Sequence, residues 1–213
     1  MYKRQELIIL EAGLGGRLDA TTAHESRPII AIGNIGLDHK EFLGDTIEKI
    51  AVEKLAVIEK NSIVISCNQN SQVENLITKK VKEVGAEIIW KDSISNSYEL
   101  GLKGIFQKQN ASVAVGAIEA LNNYGFNIKE KHISEGLKKT SWKGRLEIIN
   151  FLDKEILVDC AHNYPAAKAL SHERSNWENE DKGIYWVLGV QRQKDFYAIL
   201  KTCLLYTSPS PRD

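Results

Sequence analysis

Three short apolar-rich runs, LIIL at 7–10, IIAIGNI at 29–35 and IVISC at 63–67, are separated by loop residues and by stretches of helical spacing. An apolar run without polar alternation marks a strand covered on both faces, and such strands belong to parallel sheets flanked by helices. Helical spacing is clear on either side of IVISC. Ile47, Ile50, Ala51, Val57 and Ile58 fall on one face of residues 46–60, and Val73, Leu76, Ile77, Val81 and Val84 fall on one face of the next segment. Ser71 and Glu74 have the spacing of a capping box, Gly85 fits the stop of that helix, and residues 87–90 open another strand. The expectation is an α/β fold with a mainly parallel sheet.

A helix is expected over 111–124, closed by Gly125. The text changes character after Trp142. Residues 146–151 and 155–159 flank Asp153 and Lys154 as a hairpin, followed by a short helix at 165–170 and a strand at 184–188. A domain boundary is placed at 141–145, giving units 6–141 and 142–202. The ends read differently. CLLYTSPSPRD at 203–213 holds two of the four prolines, breaks the helical pattern after Thr202, and resembles the translation of a sequencing adapter. MYKRQ at 1–5 resembles the opposite adapter end. Residues 6–202 are therefore expected to be an internal fragment of a longer protein.

Composition removes several classes. With 28 basic and 28 acidic residues there is no charge footprint for nucleic acid, and no apolar run is long enough to span a membrane. Three cysteines without metal-type spacing, and no leader-like apolar segment at the start, point to a reducing cytoplasm.

The run LIIL leads into EAGLGGR, which invites a dinucleotide fingerprint, but the required third glycine falls on Leu18. No stretch matches G-x-x-x-x-G-K-[ST], so a phosphate loop, if one is used, lies upstream of Glu6. Glu11 and His39 each follow an expected strand, at the sheet edge where α/β folds bind ligands. A carboxylate and an imidazole there suit a shared divalent cation. Either residue alone reads more readily as an ordinary polar loop residue than as a ligand. Lys54, next to Glu53 in an apolar helical turn, reads from spacing as a lysine paired with a nearby acid.

Six segments in order add a further reading: EAGLGGRLDAT (11–21), NIGLDHKEFLGDT (34–46), IAVEKLAVIEK (50–60), QNASVAVGA (109–117), WKGRLE (142–147) and VDCAHN (158–163). Together they resemble the folylpolyglutamate synthase/dihydrofolate synthase family of the Mur ligase superfamily, over nearly all of residues 6–202. The resemblance implies most of a Mur-ligase-type central ATPase domain at 6–141 and the start of a Rossmann-like α/β C-terminal domain at 142–202. It implies an ATP-dependent ligase that joins glutamate to a pteroate or folate carboxylate through an acyl phosphate. Glu11 and His39 would then be Mg²⁺ ligands, Lys54 a catalytic lysine carried as its carbamate, and Asn110, Arg145 and Asp159 nucleotide-binding residues. Arg145 suits phosphate because its planar fork grips two oxygens. His162 is a weaker nucleotide-site candidate, and Lys194 with Asp195 resembles the tail of a later motif.

The implied partners are ATP, L-glutamate, and folate or dihydropteroate, with no nucleic acid and no membrane, and a monomer is expected. The chain alone, without a phosphate loop, is expected to be inactive. Departures from the family pattern are Thr22, the Leu55-Ala56-Val57 turn, Gln193, and Cys160 in place of glycine, which is read as a packed small residue. Another Mur-type amino-acid ligase, a non-catalytic nucleotide-binding relative and a dinucleotide oxidoreductase remain as alternatives.

Overall fold

The computed structural model of the chain describes residues 6–24, 26–173, 176–177, 185–192 and 194–204. Three parallel strands form its sheet in the order β1 (Ile29–Ile32), β2 (Ile63–Cys67) and β3 (Glu87–Lys91). Helices α2 (Ile47–Leu55) and α3 (Ser71–Val84) pack on one face. α4 (Phe106–Leu121) packs on the other. A short α1 (Lys40–Leu43) precedes α2, and α5 (Glu130–Lys139) follows α4. The expected mixed α/β architecture with a parallel sheet is thus present.

β2 is the centre of the core because its side chains serve both faces. Val64 joins Ile50, Ala51, Val73 and Ile77 on the α2/α3 side, while Ile65 and Cys67 meet Val113 and Ala120 of α4. Each large aliphatic side chain buried this way stabilises the fold by about 1.5–3 kcal/mol. Gly116 permits the close approach of α4 to β2, since a Cβ there would come within 2.8 Å of Ile65 Cγ2.

Local signals place the helix ends. Thr46 caps α2 by accepting the Lys49 N–H, and Gly85 ends α3 with φ of 73°. The start of α3 shifts by one residue from expectation: Asn70, not Ser71, is the N-cap, and Glu74 accepts the N–H of Gln69. α2 stops at Leu55 rather than running on to residue 60, and α4 begins earlier than expected, at Phe106.

β1 also stops early, at Ile32 instead of residue 35, for a specific reason. The Gln69 carboxamide takes over from the ladder, donating to the Gly33 carbonyl at 2.8 Å and accepting the Ile35 N–H at 2.9 Å.

Beyond α5 the chain forms an antiparallel hairpin of β4 (Glu147–Phe151) and β5 (Lys154–Val158). Its two-residue turn is Leu152-Asp153, one position before the expected pair, and both residues have positive φ (47° and 58°) as a type I′ turn requires. α6 (Tyr164–His172) and α7 (Phe196–Leu204) then pack together through Ala167, Ile199 and Cys203. α7 therefore continues past Thr202, and Cys203 is buried within it.

Two expected strands are not formed. Residues 7–10 carry no regular structure, and Ile9 is 87% exposed. An apolar run becomes a buried strand only when a neighbour pairs with it, and no described strand does so. Residues 185–188 are likewise irregular, with Tyr185 and Val187 exposed. Ile184 and Gln193 lie outside the described residues, as do 1–5 and 205–213.

Truncating Ile77 to Ala is expected to cost about 2–5 kcal/mol as a cavity forms between α3 and the sheet. Ile9→Ala is expected to change stability by less than about 0.5 kcal/mol. Urea unfolding of both variants measures this, and an equal loss from both would return residues 7–10 to the core.

Candidate functional site

The glycine loop after Glu11 is built by one carboxylate. Asp19 accepts the backbone N–H groups of Gly13 (2.9 Å), Leu14 (3.0 Å) and Thr21 (3.0 Å), and the Thr21 hydroxyl at 2.7 Å. These bonds, led by those from Leu14 and Thr21, hold its carboxyl well below the usual carboxylate range. The glycines serve close contact with α2. At Gly16 a Cβ would lie 2.7 Å from Val57 Cγ1 and 2.9 Å from the carbonyl oxygens of both Glu53 and Lys54. Arg17 completes the seam: its N–H donates to the Glu53 carbonyl at 3.2 Å and its guanidinium pairs with the Glu53 carboxylate. Lys54, half-buried in the last turn of α2, is therefore joined to the glycine loop through the backbone on which it sits.

A cavity of about 460 Å³ gathers Glu11, Asn110, Arg145 and Asp159, with Phe106 and Trp142 among its apolar walls. These four polar residues come from the glycine loop, α4, the turn before β4 and the end of β5. Asn110 is held by its Nδ2, which donates to Oε1 of the buried Gln107 at 2.9 Å. Arg145 sits between two left-handed residues, Gly144 (φ 70°) and Leu146 (φ 46°).

Asp159 pins that turn. Its two carboxylate oxygens accept the N–H groups of Leu146 (3.0 Å) and Ala161 (2.8 Å), while the Cys160 N–H donates to the Gly144 carbonyl at 2.8 Å. Asp159 thus presents Arg145 to the cavity as well as lining it. The Cys160 side chain is exposed rather than packed as expected, and lies over Gly144, where a Cβ would be 2.5 Å from its sulfur.

His39 and Lys54 are not among the residues that line this cavity. His39 caps α1 in a left-handed conformation (φ 50°) and belongs to a cluster around Asp38. Asp38 Oδ1 accepts from Lys194 Nζ at 2.6 Å and from the His39 N–H at 2.8 Å. Its Oδ2 accepts from Asn163 Nδ2 at 2.8 Å and lies 3.6 Å from Nε2 of both His39 and His162. Burial alone would raise the Asp38 carboxyl, but Lys194, Asn163 and the His39 N–H outweigh it and lower its pKa to about 2.

Asp38, Asn163 and Gln69 were not singled out from sequence. The signal for Asp38 is its place beside His39 in the loop that follows β1, the same edge that singles out the histidine. His162 and Lys194, read as parts of separate motifs, meet here at one carboxylate. Among the described residues no group of three His, Cys, Asp or Glu side chains is placed to hold a metal ion. No described helix is long and apolar enough to cross a membrane.

No protein-family model matches the sequence. A probable dihydrofolate synthetase of Schizosaccharomyces pombe is 33% identical over 216 residues, covering 92% of this chain and 52% of that protein. A dihydrofolate synthase/folylpolyglutamate synthase of Buchnera aphidicola subsp. Acyrthosiphon pisum is 34% identical over 217 residues, covering 94% and 51%. The chain spans about half the length of the curated relatives it matches. Its fold is that of a folylpolyglutamate synthase solved with AMPPCP and folate, with a TM-score of 0.83 and 22% identity over 90% of this chain and 52% of that one. It is similarly that of E. coli FolC in complex with DHPP and ADP, with a TM-score of 0.76 and 23% identity over 90% and 48%.

Because the folded state depresses the Asp19 carboxyl, its contribution to stability is full above the unfolded value near 4 and is lost as pH falls below it. Asp19→Asn is therefore expected to flatten the acid limb of a melting-temperature profile between roughly pH 4 and 2. An unchanged acid limb would remove Asp19 as the organiser of the glycine loop.

Proposed function

We propose, from the premise that the chain belongs by sequence and fold with the dihydrofolate synthase/folylpolyglutamate synthase family, that it carries the nucleotide-handling part of an ATP-dependent ligase. The supporting observation is the cavity that draws Glu11, Asn110, Arg145 and Asp159 together from four distant points of the sequence. In this reading residues 6–141 are the central ATPase unit and 142–202 the start of the C-terminal domain. The reaction joins the amine of L-glutamate to a carboxylate of dihydropteroate or folate. The γ-phosphoryl group of ATP passes to a carboxylate oxygen with release of ADP. The amine then attacks the carbonyl carbon of the acyl phosphate, and phosphate leaves.

The chain's own groups suit the first of these steps. Arg145 grips phosphate oxygens bidentately, held in place by the Asp159 carboxylate beneath its turn. Asn110 supplies a directional hydrogen bond, and Phe106 and Trp142 offer apolar and aromatic surface to a purine ring. Holding the nucleotide in one orientation lowers the barrier by removing freedom before reaction. Lys54 is assigned a catalytic part as its carbamate, an anion at a half-buried place beside the glycine loop.

Glu11 and His39 are the residues that would hold Mg²⁺. Glu11 offers the hard carboxylate oxygen that magnesium prefers, and His39, which lies outside the cavity that Glu11 lines, would add an imidazole nitrogen, with waters and phosphate oxygens filling the remaining positions. When bound, the ion would offset negative charge on the phosphate oxygens. A cytoplasmic monomer completes the reading.

Two measurements test it. The product of the complete reading frame is expected to release ADP only with both glutamate and a pteroate or folate acceptor, giving an amide of the corresponding mass. Magnesium-dependent ATP binding with no acyl phosphate formed would favour a non-catalytic relative. Titration calorimetry with a non-hydrolysable ATP analogue and magnesium is expected to show binding weakened about tenfold or more in Arg145→Ala, the cost of losing hydrogen bonds to a charged group. Unchanged affinity would move the phosphates away from Arg145.

A further inference from the structure

Asp38 joins residues that are remote in the chain. Lys194 and Asn163 reach it across 156 and 125 residues, at 2.6 and 2.8 Å. The Lys194 and Asp38 side chains are only 12% and 19% exposed, so the pair is screened far less than one on the surface. Beside it, Gly36 lies against Pro165 at the start of α6, where a Cβ would come within 2.6 Å of the ring.

Asn163 has two separate duties. Its Oδ1 caps α6 by accepting the Ala166 N–H at 2.9 Å, which leaves Nδ2 to reach Asp38. On the other side, Asp38 accepts the N–H of His39, the left-handed residue that opens α1. One carboxylate therefore contacts the backbone of His39 and also grips the first residue before α6 and the turn before α7. α6 and α7 have their own packing through Ala167, Ile199 and Cys203. Releasing Asp38 would accordingly loosen the N-terminal end of α6 and the Lys194 turn without dissolving that packing, while Glu173 after α6 still accepts the Ile105 N–H.

We propose that Asp38 is a positioning residue, a carboxylate latch that seats α6 and the Lys194 turn on the loop carrying His39. The inference goes beyond the ligase reading and does not depend on it, since it concerns how two parts of the chain are held in register. A latch of this kind sets the distance from His162 and Lys194 to His39, which a pair serving only stability would not do.

Hydrogen–deuterium exchange on the 213-residue chain tests this with Asp38→Asn, Lys194→Met and the double variant. Each single variant is expected to speed exchange in residues 162–172 by about tenfold, the ratio that losing one hydrogen bond to a charged group brings. Exchange in β1, β2 and β3 is expected to stay unchanged, and the double variant to add little to either single one. In ¹H–¹⁵N spectra the imidazole signals of His39 and His162 are expected to move together in Asp38→Asn while that of His132 stays in place. Unchanged exchange at 162–172, additive effects in the double variant, or a His39 signal indifferent to Asp38 would each overturn the latch. If Asp38→Asn fails to fold, Lys194→Met with its exchange pattern and the His39 signal decides the matter alone.

Discussion

The burial of β2 on both faces is the constraint from which the rest of the sheet side takes its place. A strand so enclosed has no edge free for solvent, so its polar residues must find partners inside the fold. Ser66, fully buried, donates to the Ile32 carbonyl and accepts from Gln69. Gln69 in turn bonds both sides of the backbone just past β1. The chain leaving β1 is thereby steered by a side chain rather than by a ladder, and it delivers Asp38 and His39 to one spot. Core packing and site geometry are linked through two polar residues.

The three aspartates of the site region act in one manner. Asp19 gathers the N–H groups of the glycine loop, Asp159 those around Arg145, and Asp38 that of His39. Each stabilises a loop whose own backbone has no ladder to satisfy it, and all three loops contain residues with positive φ that no helix or strand would tolerate. Rigid loops of this kind hold side chains such as Arg145 in a fixed direction before any ligand arrives.

Much of the fold was legible in the residues because it rests on local pattern. β2, the apolar face of α3, its glycine stop and the hairpin all follow from period and turn chemistry, and the structure keeps them within a residue or two. The failures have a common cause. The runs at 7–10 and 185–188 look like strands, but strand identity is a property of pairing, and no described neighbour pairs with them. The shortened β1 depends on Gln69, 34 or more residues away, a contact that no local period reveals. For the candidate site, Glu11, Asn110, Arg145 and Asp159 came from ordered motifs and lie around one cavity. The Asp38 cluster stayed hidden because its members belong to segments whose meeting is a matter of tertiary geometry alone.

The separation of Asp38 from its partners also bears on how the chain is made. Residues 29–121 contain all three parallel strands and the helices on both sheet faces, so that body has its contacts in hand once α4 has been synthesised. Contacts spanning 125 and 156 residues cannot form until the polypeptide has grown past Asn163 and Lys194 respectively. Such distant closures come late because the chain entropy must be spent before any contact repays it. During translation the loop bearing His39 thus waits, already attached to a folded sheet, for its counterpart to emerge from the ribosome.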